Sequence, residues 1–287
     1  MSHATIEGRN IWKEVEDGIW DVIGMGPEMM QMAPIAHLLQ SKRFCKRLGF
    51  IFIDEVHLID EWGRTFRKDF LRLAKLRSRV NTDVTFLSMS ATLHDDNRRK
   101  IQRLLGFAAG QFHNVKLELD RTDLMYCPRF LSQSIEGPTF PDLAWTLPDI
   151  VHGPQDLPRI LFTCNTINKV TILHRWLVIE LKYRLQCDEG NNDELVKQMV
   201  QPFHSLIDDG DRRAILAALE GGSVCYVVTT TCANIGIDMT VTTVICVDIP
   251  CSFEEMVQWG GRASRDGSGG MLVVYASKDL KRVSEEE

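Results

Sequence analysis

Little in this sequence marks a membrane protein, a secreted scaffold or a zinc module. Its 287 residues contain no apolar run approaching the roughly 20 residues that span a bilayer. Ala214–Leu219 and Val224–Val228 are among the longest such runs. The first ten residues, MSHATIEGRN, are polar and lack the apolar core of a secretory signal. Eight cysteines are present, none in a Cys-x-x-Cys pair, which weighs against a zinc ribbon or a redox motif. Several lie inside apolar runs, the usage expected of reduced core thiols in an intracellular protein. An excess of basic charge is lacking too: 33 Lys+Arg against 39 Asp+Glu leave a net charge of −6, which does not advertise a nucleic-acid binder. Charged residues at 25% and aromatics at 8% are ordinary globular usage and exclude disorder and fibrous repeats. At about 150 residues per domain, the length allows one large domain or two ordinary ones.

What is present reads as an α/β chain. Strands buried on both faces of a parallel sheet appear as short unbroken apolar runs. Phe50–Ile53, Val84–Leu87, Ile160–Phe162, Val224–Val228, Val244–Val247 and Met271–Tyr275 have this form. In Phe66–Val80 the apolar residues Phe66, Phe70, Leu73, Leu76 and Val80 recur at helical steps, so an amphipathic helix is expected there. Arg212–Leu219 and Phe253–Trp259 are shorter helix candidates. Alternating strands and helices imply βαβ units. The stretch from Tyr126 to Pro158 breaks the rhythm and carries six of the ten prolines, so it reads as a connector, with a short helix near Leu143–Val151. Gln186–Glu194 reads as a loop. The expected division is a first lobe at 1–125, a linker at 126–158, a second lobe at 159–280 and an acidic tail at 281–287.

Phe50–Ile53 runs straight into Asp54-Glu55-Val56-His57. Carboxylates at the carboxyl end of a parallel strand lie where α/β folds place their ligands. Asp54 suits Mg²⁺ held through its water shell, and Glu55 suits a base that orients water against a γ-phosphate. A solvated acidic turn is the plain alternative for these four residues. Downstream come Trp62-Gly63-Arg64-Thr65-Phe66-Arg67 and, ending the next strand, Ser90-Ala91-Thr92. In this order the chain resembles the RecQ-like branch of superfamily 2 helicases, with its DExH box, aromatic-rich QWGxxFR loop and Ser-Ala-Thr motif. The resemblance implies that Trp62, Arg64, Phe66 and Arg67 sense single-stranded DNA. It also implies that Ser90, Ala91 and Thr92 link hydrolysis to lobe movement. Aromatic stacking on bases and arginine contacts to phosphate suit that role; a core anchor at a helix start is the bland alternative.

The later half continues the resemblance. Asn234-Ile235-Gly236-Ile237-Asp238 is similar to the family's fifth motif, which implies nucleotide contact at Gly236 and Asp238. Gln258-Trp259-Gly260-Gly261-Arg262-Ala263-Ser264-Arg265-Asp266-Gly267 matches the sixth, QxxGRAxRDG, and is the most specific signal in the chain. By it, Gln258, Arg262 and Arg265 join Asp54, Glu55 and His57 in the chemistry, the arginines stabilising charge on the transferring phosphoryl group. Two solvated arginines in a glycine-rich turn are the alternative. Weaker echoes are Gly26-Pro27-Glu28, Arg121-Thr122-Asp123-Leu124 and Phe203-His204-Ser205. The likeness spans Asp21 to Lys278 and implies two RecA-like lobes with parallel sheets, the architecture of a P-loop NTPase helicase core, using ATP and Mg²⁺ on single-stranded or forked DNA. It also implies a nuclear place if the source is eukaryotic, and a part in DNA repair or recombination.

Departures temper this. None of the lysines is followed by Ser or Thr, so the G-x-x-x-x-G-K-[ST] phosphate loop is absent. Only 53 residues precede Asp54, so the first lobe is expected to be incomplete, with a bare sheet edge and exposed apolar surface. No zinc is expected without a cysteine cluster. Asp60-Glu61 replaces the usual Ser-Gln, Asn234, Met239 and Thr240 replace Gly and Lys-Pro, and Ser264 replaces Gly. Between Glu61 and Asn81 seven basic residues face two acidic ones, a local stripe that is either DNA-facing or simply solvated; Arg98, Arg99, Lys100 and Arg103 form a smaller cluster. Three functions remain open: an ATP-dependent 3′→5′ DNA helicase core, a non-catalytic nucleic-acid-binding remnant, and, remotely, a Mg²⁺-dependent phosphohydrolase. The oligomeric state is left open.

Overall fold

A computed structural model describes residues 5–6, 9–59, 73–80, 83–117, 120–132, 137–186, 192–230, 239–264 and 267–277. The chain forms two compact units, Met1–Leu119 and Asp120–Glu287.

In the first unit, short strands β1 (Thr5–Ile6) and β2 (Arg9–Asn10) lead into helices α1 (Ile11–Asp17), α2 (Ala33–Leu38) and α3 (Lys42–Cys45). The Asn10 side chain accepts the Lys13 N–H and so caps α1, while Gly18 closes it at φ 81°. Arg47 donates to the Val15 and Glu16 carbonyls, satisfying acceptors at the helix end that have no partner within the helix. Val15, Ile35 and Leu38 form a small core with Trp12, Met30 and Phe44 packed on it. Strands β3 (Phe50–Ile53) and β4 (Thr85–Ser88) pair in parallel, Phe50 opposite Thr85 and Ile53 opposite Ser88. One face buries Ile53, Val84 and Phe86. The other leaves Phe50 and Phe52 each 62% exposed, beside exposed Leu87 and Met89. Exposed apolar side chains of both strands therefore gather on this face. Helix α4 (Asp95–Leu104) follows, with Asp95 and Asp96 in its first turn, where the helix dipole favours acid.

The helix expected over Phe66–Val80 is not continuous where it is described. Leu73–Lys75 and Arg77–Arg79 are separate 3₁₀ turns. Tertiary contacts override the helical spacing. Arg77 turns inward, its guanidinium 4.2 Å from the Phe86 ring and 5.1 Å from Phe107, with Nε donating to the Leu105 carbonyl. Arg79 donates to the Met30 carbonyl.

The second unit is a six-stranded sheet in the order β5–β10–β9–β6–β8–β7, every pairing parallel. Its strands are β5 (Leu124–Phe130), β6 (Ile160–Thr163), β7 (Val200–Phe203), β8 (Tyr226–Thr229), β9 (Thr243–Cys246) and β10 (Gly270–Ala276). Adjacent residues of each central strand enter opposite cores. Phe162, Val228, Ile245 and Val273 join one cluster. Leu161, Val227, Val244 and Leu272 join the other. This two-sided burial is why the strands read as unbroken apolar runs. Helices α5 (Ile167–Arg184) and α6 (Asn192–Met199) supply Leu173, Leu177 and Val196 to the first cluster. Helices α7 (Asp209–Glu220) and α8 (Phe253–Gly260) supply Ile215, Leu219 and Trp259 to the second. Both edge strands contain a proline, Pro128 in β5 and Pro202 in β7, which blunts further pairing.

The stretch expected as a linker, 126–158, lies within the second unit. It contributes β5 to the sheet and buries Phe140, Leu143, Leu147 and Val151 in the core. The Tyr275 hydroxyl donates to the Asp142 carbonyl and accepts from Trp145 Nε1, while Tyr226 donates to the Thr146 carbonyl. The helix near Leu143–Val151 is instead a 3₁₀ segment, Pro141–Thr146. The acidic tail 281–287 lies outside the described residues.

Candidate nucleotide and nucleic-acid site

The acidic box emerges from the carboxyl end of β3 and is bound to the turn that ends β4. Met89 N–H donates to the Ile53 carbonyl and Val56 N–H to the Met89 carbonyl, both at 2.9 Å. Asp54 is exposed, and its Oδ1 accepts the Glu55 N–H at 2.8 Å. Glu55 has φ 46°, a left-handed conformation that a residue with a Cβ adopts only under constraint. His57 is 8% exposed, with Nδ1 2.9 Å from Ser90 Oγ and 3.3 Å from Glu55 Oε2. Ser90 Oγ also donates to the Thr92 carbonyl at 3.2 Å and accepts the Thr92 N–H at 3.3 Å. A hydroxyl has one proton, so once it donates to Thr92 it can only accept from His57, which assigns the proton to Nδ1. Glu55, His57, Ser90 and Thr92 thus form one chain of polar contacts. Thr92 is buried and Ala91 exposed.

Among the described residues no cluster of three His, Cys, Asp or Glu side chains could hold a metal. An exposed carboxylate such as Asp54 fits a cation held through its water shell rather than in a protein cage. A triphosphate finds less. The sequence supplies carboxylates and arginines but no phosphate-loop lysine.

In the second unit, α8 begins with reciprocal caps: Ser252 Oγ accepts the Glu255 N–H and Glu255 Oε2 accepts the Cys251 N–H. Gln258 is half-buried on this helix, and Arg262, just past its end, is 5% exposed. The Arg262 carbonyl accepts from Val241 N–H, and Ser264 N–H donates to the Val241 carbonyl. Ser264 has φ 50°. The glycine that the family carries at this position is the residue that adopts such a φ without Cβ strain. Arg265, Gly236 and Asp238 lie outside the described residues, as do Trp62, Arg64, Phe66 and Arg67.

The basic patches are partly committed elsewhere. Arg77 and Arg79 bond to protein carbonyls, Arg98 pairs with Asp95 and Arg99 with Asp96. The buried thiols are chemically quiet: burial pushes Cys225 up to about 11 and Cys246 up to about 12, and raises Cys164 as well.

Two features escaped the sequence reading. Lys169 Nζ lies 2.5 Å from Asp248 Oδ1, and Asp248 Oδ2 accepts the Asn165 N–H. This pair sits past the carboxyl ends of β6 and β9. Nothing local in the sequence ties residue 169 to residue 248. The other is Arg121, noted only as a weak echo, which bonds to backbone more than 140 residues away.

Residues 3–101 match the DEAD/DEAH box helicase family and residues 146–267 match the helicase conserved C-terminal domain. The chain is 27% identical over 248 residues to ATP-dependent DNA helicase Q4 of Mus musculus, covering 85% of this chain and 18% of that protein. It is 24% identical over 275 residues to ATP-dependent DNA helicase RecQ of Pasteurella multocida, covering 96% and 38%. It therefore spans well under half the length of these curated relatives. Among solved structures, S. cerevisiae Dbp5 bound to RNA and ADP BeF3 matches with TM-score 0.60 at 15% identity, over 88% of this chain and 60% of that one. Mycobacterium smegmatis helicase Lhr bound to ssDNA and AMP-PNP matches with TM-score 0.56 at 19% identity, over 87% and 31%. These likenesses establish the fold as that of RecA-like helicase cores.

Proposed function

Because this chain belongs to the RecQ-like helicases, we propose that it serves as part of an ATP-dependent DNA helicase core. In this reading it acts with 3′→5′ polarity on single-stranded or forked DNA. Asp54 would hold hydrated Mg²⁺, which would offset phosphate charge, and Glu55 orients and deprotonates the attacking water. Arg262 and Arg265 offset charge on the transferred phosphoryl group. By the resemblance of their motifs, contact with the strand is assigned to Trp62, Arg64, Phe66 and Arg67, and contact with the nucleotide to Gly236 and Asp238. In a eukaryotic cell the activity belongs in the nucleus, in repair or recombination.

The observation that carries this reading is the bond from His57 to Ser90. It joins the acidic box to the Ser-Ala-Thr turn, so a change at Glu55 has a physical route to Thr92. A second reading has its own support. Without a lysine in a phosphate loop, this chain by itself holds DNA and does not turn over ATP.

Two measurements test both readings: binding of a fluorescent single strand across a salt series, and phosphate release with and without that strand. Salt-sensitive binding without release is expected of the chain alone. Release that Glu55→Gln abolishes would show a complete catalytic site and overturn the second reading. Failure to bind at low salt would overturn both.

A further inference from the structure

We propose that Arg121 is a positioning residue for the arginine-bearing turn at Gly261–Ser264. Arg121 is the second residue of the second unit, and its guanidinium is shared among three groups. Nε donates to Asp123 Oδ1 and Nη2 to Asp123 Oδ2, both at 2.7 Å, a two-pronged pair that fixes the guanidinium plane. Nη2 then donates to the carbonyls of Ala263 at 3.1 Å and Ser264 at 2.9 Å. Those carbonyls flank the left-handed Ser264, which needs external bonds to hold its φ of 50°.

The same segment holds the other end of the loop. The Asp123 carbonyl accepts the Gly270 N–H at 2.9 Å. A Cβ on Gly270 would lie 2.9 Å from both Ala263 Cβ and Ser264 Cβ, so the two ends of the loop touch there. Within it, Gly267 N–H donates to the Ser264 carbonyl at 3.1 Å, and the Ser264 and Ser268 hydroxyls meet at 3.3 Å. Residues 121–123 thus bond both to Ala263 and Ser264 and to Gly270, which flank Arg265 in sequence, and Arg262 directly precedes Ala263. A lysine could neutralise Asp123 but could not span the carboxylate and two carbonyls with one planar fork. The functional value of this arrangement rests on the proposed role of Arg262 and Arg265 as phosphate-facing cations. The placement of the turn does not rest on it.

The test compares the full chain with Arg121→Ala and Arg121→Lys by amide hydrogen exchange, and titrates each with inorganic tripolyphosphate. In Arg121→Ala the Val241, Ser264 and Gly267 amides are expected to exchange about tenfold faster or more, with β6 and β8 unchanged. Arg121→Lys should follow it, and tripolyphosphate affinity should fall in both. Unchanged exchange at the turn would overturn the proposal. So would acceleration spread evenly over β6, β8 and β9, because Arg121 would then be a general staple of the fold. If the turn loosens but the wild-type chain does not bind tripolyphosphate, the positioning role is upheld and the phosphate role of the arginines is refuted.

Discussion

Replacing Ser90 by alanine removes one hydroxyl that serves three partners at once. Ser90 Oγ lies 2.9 Å from His57 Nδ1, 3.2 Å from the Thr92 carbonyl and 3.3 Å from the Thr92 amide. The first bond has an ordinary length, and its imidazole is buried. Without the hydroxyl, His57 Nδ1 loses its 2.9 Å contact, while the Glu55 carboxylate stays 3.3 Å away. A buried donor losing its best partner costs about 1–3 kcal/mol, and the two longer bonds add a fraction of that, so Ser90→Ala should lose about 2 kcal/mol. For a unit of this size the loss corresponds to a fall of about 10 °C in melting temperature. Calorimetry that resolves the two units would read it in the first transition alone. His57→Ala and the double variant complete a double-mutant cycle, whose expected coupling is about 1 kcal/mol because each partner's loss leaves the other with less to lose. Ser90→Thr keeps the oxygen and should recover most of the stability. Additivity within about 0.3 kcal/mol would refute the direct link between the acidic box and the Ser-Ala-Thr turn.

Four further outcomes are expected. Arg77→Ala loses a buried carbonyl bond and two ring contacts, so the first unit should lose about 2 kcal/mol by calorimetry, with Arg77→Lys recovering less than half. Phe50 and Phe52 stack with centroids 6.1 Å apart on the bare face of β3. Changing both to lysine should reduce self-association in sedimentation velocity while shifting stability by about 1 kcal/mol or less; an unchanged size distribution counts against an adhesive patch. Gly270→Ala drives a Cβ against Ala263 and Ser264, and about 1–3 kcal/mol of the second unit's stability should be lost in urea melts, a neutral result excluding the close approach. The hydrogen bonds from Arg121 hold the Asp123 carboxyl below its ordinary value of 3.8, and Asp193 beside Lys182 is lowered likewise. Depressed carboxyls stabilise fully above that ordinary value and lose their contribution as pH falls through the folded one. The second unit's melting temperature should therefore be flat from pH 7 to about 5 and fall below about 4, less so in Asp123→Asn; a flat profile to pH 3 contradicts the assignment.

Much of the second unit was legible because burial on both faces of a parallel sheet leaves a local mark. Ile160–Thr163, Tyr226–Thr229 and Thr243–Cys246 are strands because nearly every residue enters one core or the other, and a short apolar run is the only pattern that allows this. The acidic box and the QxxGRAxRDG turn were equally readable, since their residues are contiguous and their spacing is the signal. Strands β5 and β7 were missed because each carries a proline, which sequence reasoning takes as a break but an edge strand tolerates.

The sequence by itself determined the α/β class, the positions of most central strands and the family to which the motifs belong. Only the tertiary structure decided that the proline-rich stretch packs into the second unit. Its Phe140, Leu143 and Val151 have no period to betray them, yet the sheet covers all three. Tertiary structure also turned Arg77 inward between two rings and set Arg121 against Ala263 and Ser264. Both arginines look like surface charge in sequence. Their roles come from carbonyls and rings that chain folding brings to them from far along the sequence, and no local pattern encodes such a contact.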